Sequence, residues 1–84
     1  WIMYIYYAHK AQSDLESLSK ETQERIAEKM RFYASQKDPV KFAKRLIDSR
    51  EGEFRFRVGD WRIFFDLKGN KIFVLSIKHR SRAY

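Results

Sequence analysis

Apolar and polar positions along this chain follow two different periods. After a run of β-formers at MYIYY (3–7), apolar residues recur at helical spacing: Ala8, Ala11, Leu15 and Leu18, then Ile26, Met30 and Tyr33. The run predicts a first strand over 3–7, and the spacing predicts helices over about 9–18 and 20–36. Ser19 breaks the pattern between them. It is a good N-cap, and Glu21 and Glu24 follow in the first turns, where the helix dipole favours acids. The two helices are therefore expected to form a tight hairpin. Their other faces alternate acids and bases (Glu24, Glu28, Lys29, Arg31), as a solvated surface does. Asp38-Pro39 is a cap followed by a first-turn residue and predicts a short helix over about 39–44. DSREGE (48–53) reads as a loop.

From residue 53 onward the period is two. Phe54, Phe56 and Val58 alternate with Arg55 and Arg57; Trp61, Ile63, Phe65 and Leu67 alternate with Arg62, Phe64 and Asp66. Gly59-Asp60 supplies the turn between them. A two-residue loop there sets Val58 opposite Trp61 and Phe56 opposite Ile63, with every large apolar residue except Phe64 on one face. The same register sets Arg57 opposite Arg62, with Arg55 on the same side. Gly69-Asn70 marks a second turn into KIFVLSIK (71–78), which is apolar on both faces like a central strand and whose register alternation does not fix. The expected fold is thus α+β: an N-terminal strand, a helical hairpin, then antiparallel strands in one sheet with the helices on one face.

At 84 residues the chain makes one domain, 1–84, with 44% hydrophobic and 17% aromatic residues to build a core. No repeat, linker or low-complexity segment interrupts it. With no cysteine there is no disulfide framework and no thiolate metal site, which fits a reducing compartment. WIMYIYYA is too short to span a bilayer and lacks the charged leader of a signal peptide, so a soluble cytoplasmic protein with no membrane partner is expected. Trp1 is not a natural start, and Trp1-Ile2 need not be native. Charge is uneven. Residues 1–38 carry six Lys/Arg and six Asp/Glu; residues 39–84 carry twelve and five, so the whole net charge of +7 lies in the second half. A basic half beside a neutral half suggests a surface aimed at a polyanion.

Like charges directly opposite on a sheet destabilise it, although salt screens an exposed pair. The plainest reading of Arg55, Arg57 and Arg62 is a solvated face. Against it, all three are Arg, whose fork grips phosphate through two bonds. KHRSRAY (78–84) then adds Lys78, His79, Arg80 and Arg82 near Tyr84. No carboxylate or histidine cluster has metal-ligand spacing, and there is no Gly-rich phosphate loop, so neither a metal nor another cofactor is expected. One metal-free reaction suits the inventory: cleavage of RNA by its own 2′-hydroxyl. It needs cations for the phosphorane and groups that move protons. Tyr84 and His79 are the proton carriers in reach, and surrounding arginines would lower the Tyr84 pKa. His9 reads as structural.

FRFRVGDWRIFF and IKHRSRAY carry a resemblance to the RelE/ParE toxin superfamily of toxin–antitoxin systems. The first is similar to the family's Arg-x-Arg-Val-Gly-Asp-Tyr-Arg hairpin, the second to its Gly-His-Arg-x-x-Val-Tyr ending, and LIDSREGEFRFRVGDWR adds the loop that leads in. The resemblance covers nearly the full length. It implies the strand–helical hairpin–sheet order and a cognate antitoxin. For RelE-like members it implies ribosome-dependent mRNA cleavage, with the basic and C-terminal positions falling on Arg55, Arg57, Arg62, Arg80 and Tyr84. The best-studied RelE pattern has lysines where this chain has Arg55 and Arg57. Arginine does not give up a proton, which shifts that work to Tyr84 and His79. Lys78 replaces the glycine before His-Arg. ParE-like members share the fold but inhibit DNA gyrase without enzymatic action. The sequence therefore leaves an endoribonuclease, the reading placed first, beside a gyrase inhibitor and a plain basic binding module.

Overall fold

Residues 2–83 are described by the computed structural model. Strand β1 (Tyr4–Tyr7) leads into α1 (His9–Glu16), and Ser17, Leu18 and Ser19 separate it from α2 (Lys20–Ala34). The break falls where the sequence placed it. The Ser19 hydroxyl accepts a hydrogen bond from Thr22 N at 3.2 Å, capping α2. Both helices stop about two residues short of the sequence expectation. The Asp38-Pro39 signature starts a 3₁₀ turn, Pro39–Phe42, rather than an α-helix. Strand β2 (Lys44–Arg45) follows, then β3 (Phe54–Val58), β4 (Trp61–Lys68) and β5 (Lys71–His79), and the C-terminal turn Arg80–Arg82.

The strands form one mixed sheet in the order β1-β5-β4-β3-β2. Only β1 runs parallel to its neighbour, with Tyr4 paired to Lys71 and Tyr7 to Val74. The β3–β4 hairpin has the register its turn dictates: Val58 faces Trp61, Phe56 faces Ile63 and Arg57 faces Arg62. β5 hides its register for a structural reason. Phe64 pairs with Ser76 but Phe65 with Val74, so Leu75 is an extra residue. This bulge resets the alternation and lets Ile72, Val74 and Ile77 all reach the core face.

Both helices cover one face of the sheet. Ile26, Met30 and Tyr33 from α2 are buried against Phe56, Phe65, Ile63, Ile72 and Val74. Aromatic rings stack through this layer: Tyr33 on Phe56 at 4.0 Å, Phe56 on Phe65 at 4.2 Å, and Phe65 on Phe54 at 5.5 Å between centroids. Each such ring buried contributes about 1.5–3 kcal/mol. α1 is short and carries no side-chain N-cap, so tertiary contacts hold it. Asp14 does this directly, accepting from Ile77 N of β5 at 3.0 Å and from Lys10 Nζ at 2.9 Å. Burial pushes the Tyr7 and Tyr33 phenols above their ordinary value of 10.0, and the nearby Arg31 guanidinium opposes that rise at Tyr7.

The opposite face has no helix. A strap, residues 46–53, crosses it instead. Glu53 N donates to Asp66 Oδ1 at 2.9 Å, Glu53 Oε1 accepts from Leu67 N at 3.1 Å, and Glu51 pairs with Lys78 at 2.8 Å. Gly52 lets the strap lie close. Its φ is +147°, and a Cβ there would sit 3.2 Å from both Leu75 Cδ1 and the Phe65 carbonyl.

Candidate functional site

Strand pairing decides which of the expected site residues share a face. The row Arg57–Arg62–Lys78 crosses β3, β4 and β5 on the strap side of the sheet. Arg55, Phe64 and Ser76 form the next row, with Lys44 of β2 paired to Arg55. Alternation thus gathers Lys44, Arg55, Arg57, Arg62 and Lys78 on one side.

Exposure divides them. Arg57 is exposed, and Arg55 and Lys78 are half-buried. Arg62 is only 2% exposed, which corrects the solvated-face reading. Its Nη1 donates to the Gly59 carbonyl at 2.8 Å and to the Trp61 carbonyl at 3.0 Å. Polar alternation in a sequence does not distinguish a solvated arginine from one folded back onto its own turn. Burial of a cation is tolerated only when its donors are satisfied, and the two carbonyls do part of this. Phe64, the large apolar residue in these two rows, is buried at 2% and lies 5.8 Å from Lys78 Nζ, a cation–π distance. The Ser76 hydroxyl is buried beside them without a hydrogen-bond partner.

The C-terminal turn is fastened to the hairpin turn. Arg80 N donates to the Asp60 carbonyl at 2.7 Å, and Arg80 Nε lies 3.6 Å from Asp60 Oδ1. Strand β5 therefore delivers the basic ending beside Gly59-Asp60, as the sequence suggested. His79 is brought to the other side of the sheet. It pairs with Trp61, their rings meet edge-on at 5.2 Å, and both line a groove of about 590 Å³ with Lys10, Ser17 and Arg82. Ser81 N donates to His79 Nδ1 at 3.2 Å, which makes Nδ1 an acceptor and leaves the proton of the neutral ring on Nε2. Tyr84 lies outside the described residues.

Two features of the site have no signal in the sequence. Glu51 is the acid that neutralises Lys78, a pairing made across the strap. Tyr33, a core residue of α2, donates its hydroxyl to the Arg57 carbonyl at 3.3 Å and so steadies the backbone under the exposed arginine. Among the described residues no group of three or more His, Cys, Asp or Glu could hold a metal ion, and no helix is long and apolar enough to cross a membrane.

Solved structures share this architecture. The chain is similar to one in the toxin–antitoxin complex RelBE2 from Mycobacterium tuberculosis, with TM-score 0.80, 21% identity, and 95% of this chain and 100% of that chain covered. It is similar to a chain of the archaeal RelE–RelB complex from Pyrococcus horikoshii OT3, with TM-score 0.74, 26% identity, and 99% and 100% covered. A third likeness, to the chromosomal ParDE system of P. aeruginosa, has TM-score 0.71, 16% identity, and 93% and 96% covered. No curated protein matches the sequence. The family model of the ParE toxin of the type II toxin–antitoxin system parDE matches residues 5–84. With the fold, the fastened basic ending and a match over nearly the whole length in agreement, the chain belongs to the ParE toxin family and is the toxin of a toxin–antitoxin system of the RelE/ParE kind.

Proposed function

We propose that this toxin is a metal-independent endoribonuclease that cuts mRNA on the ribosome in the cytoplasm and is held inactive by a cognate antitoxin. The observation that carries the reading is the row Arg57–Arg62–Lys78, three cations side by side across three strands with Arg55 and Lys44 behind them. Such a row costs stability in the free protein. A phosphodiester passing through a doubly charged phosphorane would repay that cost.

In the reaction the 2′-oxygen of the substrate attacks the adjacent phosphorus, and the bond to the 5′-oxygen breaks. The 2′-hydroxyl loses a proton and the leaving oxygen gains one. Arg57, exposed, contacts the non-bridging oxygens. Arg62, buried and held by its own turn, adds a fixed positive field and keeps Gly59-Asp60 in place. Lys78 joins them when it leaves Glu51. His79 sits on the far side of the sheet, so we assign the proton transfer to Tyr84, with Arg80 and Arg82 flanking it in sequence. An antitoxin with an acidic segment would cover the basic side. Archaeal RelE, 26% identical, is solved with RelB, and the other two neighbours also come from toxin–antitoxin systems.

A second reading, a non-enzymatic inhibitor of DNA gyrase, is favoured by the family match and by the engagement of Lys78 and Arg80 with Glu51 and Asp60. One paired assay separates the two. Purified toxin is given programmed ribosomes, and separately gyrase with relaxed plasmid. Cleavage of ribosome-bound message, lost by about 10²-fold or more in Tyr84→Phe, is the expected result. Loss of supercoiling with the message intact would replace the ribonuclease by the gyrase inhibitor.

A further inference from the structure

Beyond the bulge, the strap side of the sheet changes character. Two more rows continue it toward β1: Tyr6–Phe73–Asp66, then Tyr4–Lys71–Lys68. Tyr4 and Tyr6 are 52% and 46% exposed, whereas Phe54, Phe56 and Phe65 on the helix side are buried. Tyr6 and Phe73 stack at 5.4 Å with their planes 21° apart, so one ring partly overlies the other and the pair forms a stepped aromatic plate. Lys71 Nζ stands 6.0 Å from the Tyr6 ring. Packing within the sheet does not account for this exposure, since among the described residues no helix covers the plate.

The charge around the plate selects its partner. Three acids that reach this side are engaged within the protein: Asp66 by Glu53 N, Glu53 by Leu67 N, and Glu51 by Lys78, while Asp48 of the strap is exposed. Lys68 and Lys71 are exposed beside the plate, and Arg50 of the strap and Arg57 of the far row are exposed as well. Aromatic rings interleaved with cations on an open sheet are what a single-stranded nucleic acid needs: π-faces for its bases and charge for its backbone. From Phe73 to Lys78 along β5 is about 16 Å, a span of a few nucleotides.

We infer that Tyr6 and Phe73 form a stacking platform for unpaired RNA bases flanking the scissile phosphate, with Lys71 contacting the backbone. The inference rests on the ribonuclease reading and names where the rest of the message lies. It makes the toxin grip RNA at two places, a cationic end that reacts and an aromatic end that holds.

The test is equilibrium binding of a single-stranded RNA dodecamer to the purified toxin, beside a dodecamer of abasic sites. Tyr6→Ser is expected to weaken binding of the RNA dodecamer by about 5–150-fold, the range for loss of a base stack. Tyr6→Trp is expected to restore it, and the abasic chain should not respond to either change. Far-ultraviolet circular dichroism establishes that the variants are folded. Equal RNA binding by wild type and Tyr6→Ser overturns the platform, as does failure of the wild type to bind the dodecamer. A loss of antitoxin binding in Tyr6→Ser with RNA binding unchanged overturns it too, and makes the plate an antitoxin seat. If ribosome-bound message stays whole while the Tyr6 variants behave as expected, the platform stands and the ribonuclease reading falls. If message is cut and the dodecamer ignores Tyr6, the reverse holds.

Discussion

The two sides of one sheet are built to different rules. On the helix side, Tyr33, Phe56, Phe65 and Phe54 are buried and stack in series, with Tyr7 and Trp61 partly buried against the same core. On the strap side, cations stand next to cations and two tyrosines face water. The helix side gains free energy from each residue placed there. The strap side loses some at Arg57–Arg62–Lys78 and at the unpartnered Ser76 hydroxyl. The difference teaches where stability and function reside in this small domain. A fold whose core lies on one side is free to spend the other on a charge pattern that folding alone would not choose.

The sharpest way to break the comparison is at the centre of the stack. Phe56→Ala removes a fully buried ring that touches both Tyr33 and Phe65. It should cost about 3–5 kcal/mol in a urea melt, enough to unfold much of the protein, and toxicity should vanish with the fold. On the other side, Arg57→Thr should do the reverse. Stability is expected to hold or rise by ~0.2–1 kcal/mol as the repulsion with Arg62 is relieved. RNA cleavage should fall by about 10²–10³ through loss of a charged contact to the phosphate. A denaturant melt and a cleavage assay on the same variant check both halves. A clear loss of stability would make Arg57 a structural member of the sheet. A fully active Arg57→Thr would reduce the cationic row to surface.

A milder change sharpens the roles on the strap side. Glu51→Gln frees Lys78 from a partly exposed ion pair, worth at most about 1 kcal/mol. The melt should shift little while affinity for single-stranded RNA rises several-fold at low salt. Unchanged affinity would show that Lys78 does not meet the substrate. The smallest expected effect is on the helix side. Tyr7 has its pKa raised by burial, so its neutral phenol is favoured in the folded state. That contribution is complete below about pH 10 and is lost as pH rises through the folded value. Tyr7→Phe should therefore flatten the fall of the urea midpoint above about pH 10, and a fall as steep as wild type would assign the alkaline sensitivity elsewhere.

Sequence reasoning reached the elements whose determinants are local. A serine cap, a two-residue turn and strict alternation are all written within a few residues, and they placed α2 and the β3–β4 register. It missed what distant residues decide. β2 is two residues, Lys44–Arg45, too short to show a period, and it forms because β3 offers an edge. The bulge at Leu75 erased the alternation of β5. Arg62 and Arg57 read alike, yet one is folded back onto Gly59 and Trp61 and the other is exposed. His79 is adjacent to Lys78 in the chain, and in a strand adjacency means opposite sides of the sheet.

The parallel pairing of β1 with β5 has a consequence for how this chain reaches its native state. Among the described strands β1 comes first and its ladder neighbour β5 comes last, with Tyr4 matched to Lys71. Everything between must be in place before that closure, a long loop whose entropy is lost late. Until then an aromatic edge stands unzipped, the kind of segment that seeks foreign strands. A chain cut short before β5 thus forfeits two strands rather than one, and with them the seam that ties β1 to the basic segment after β5.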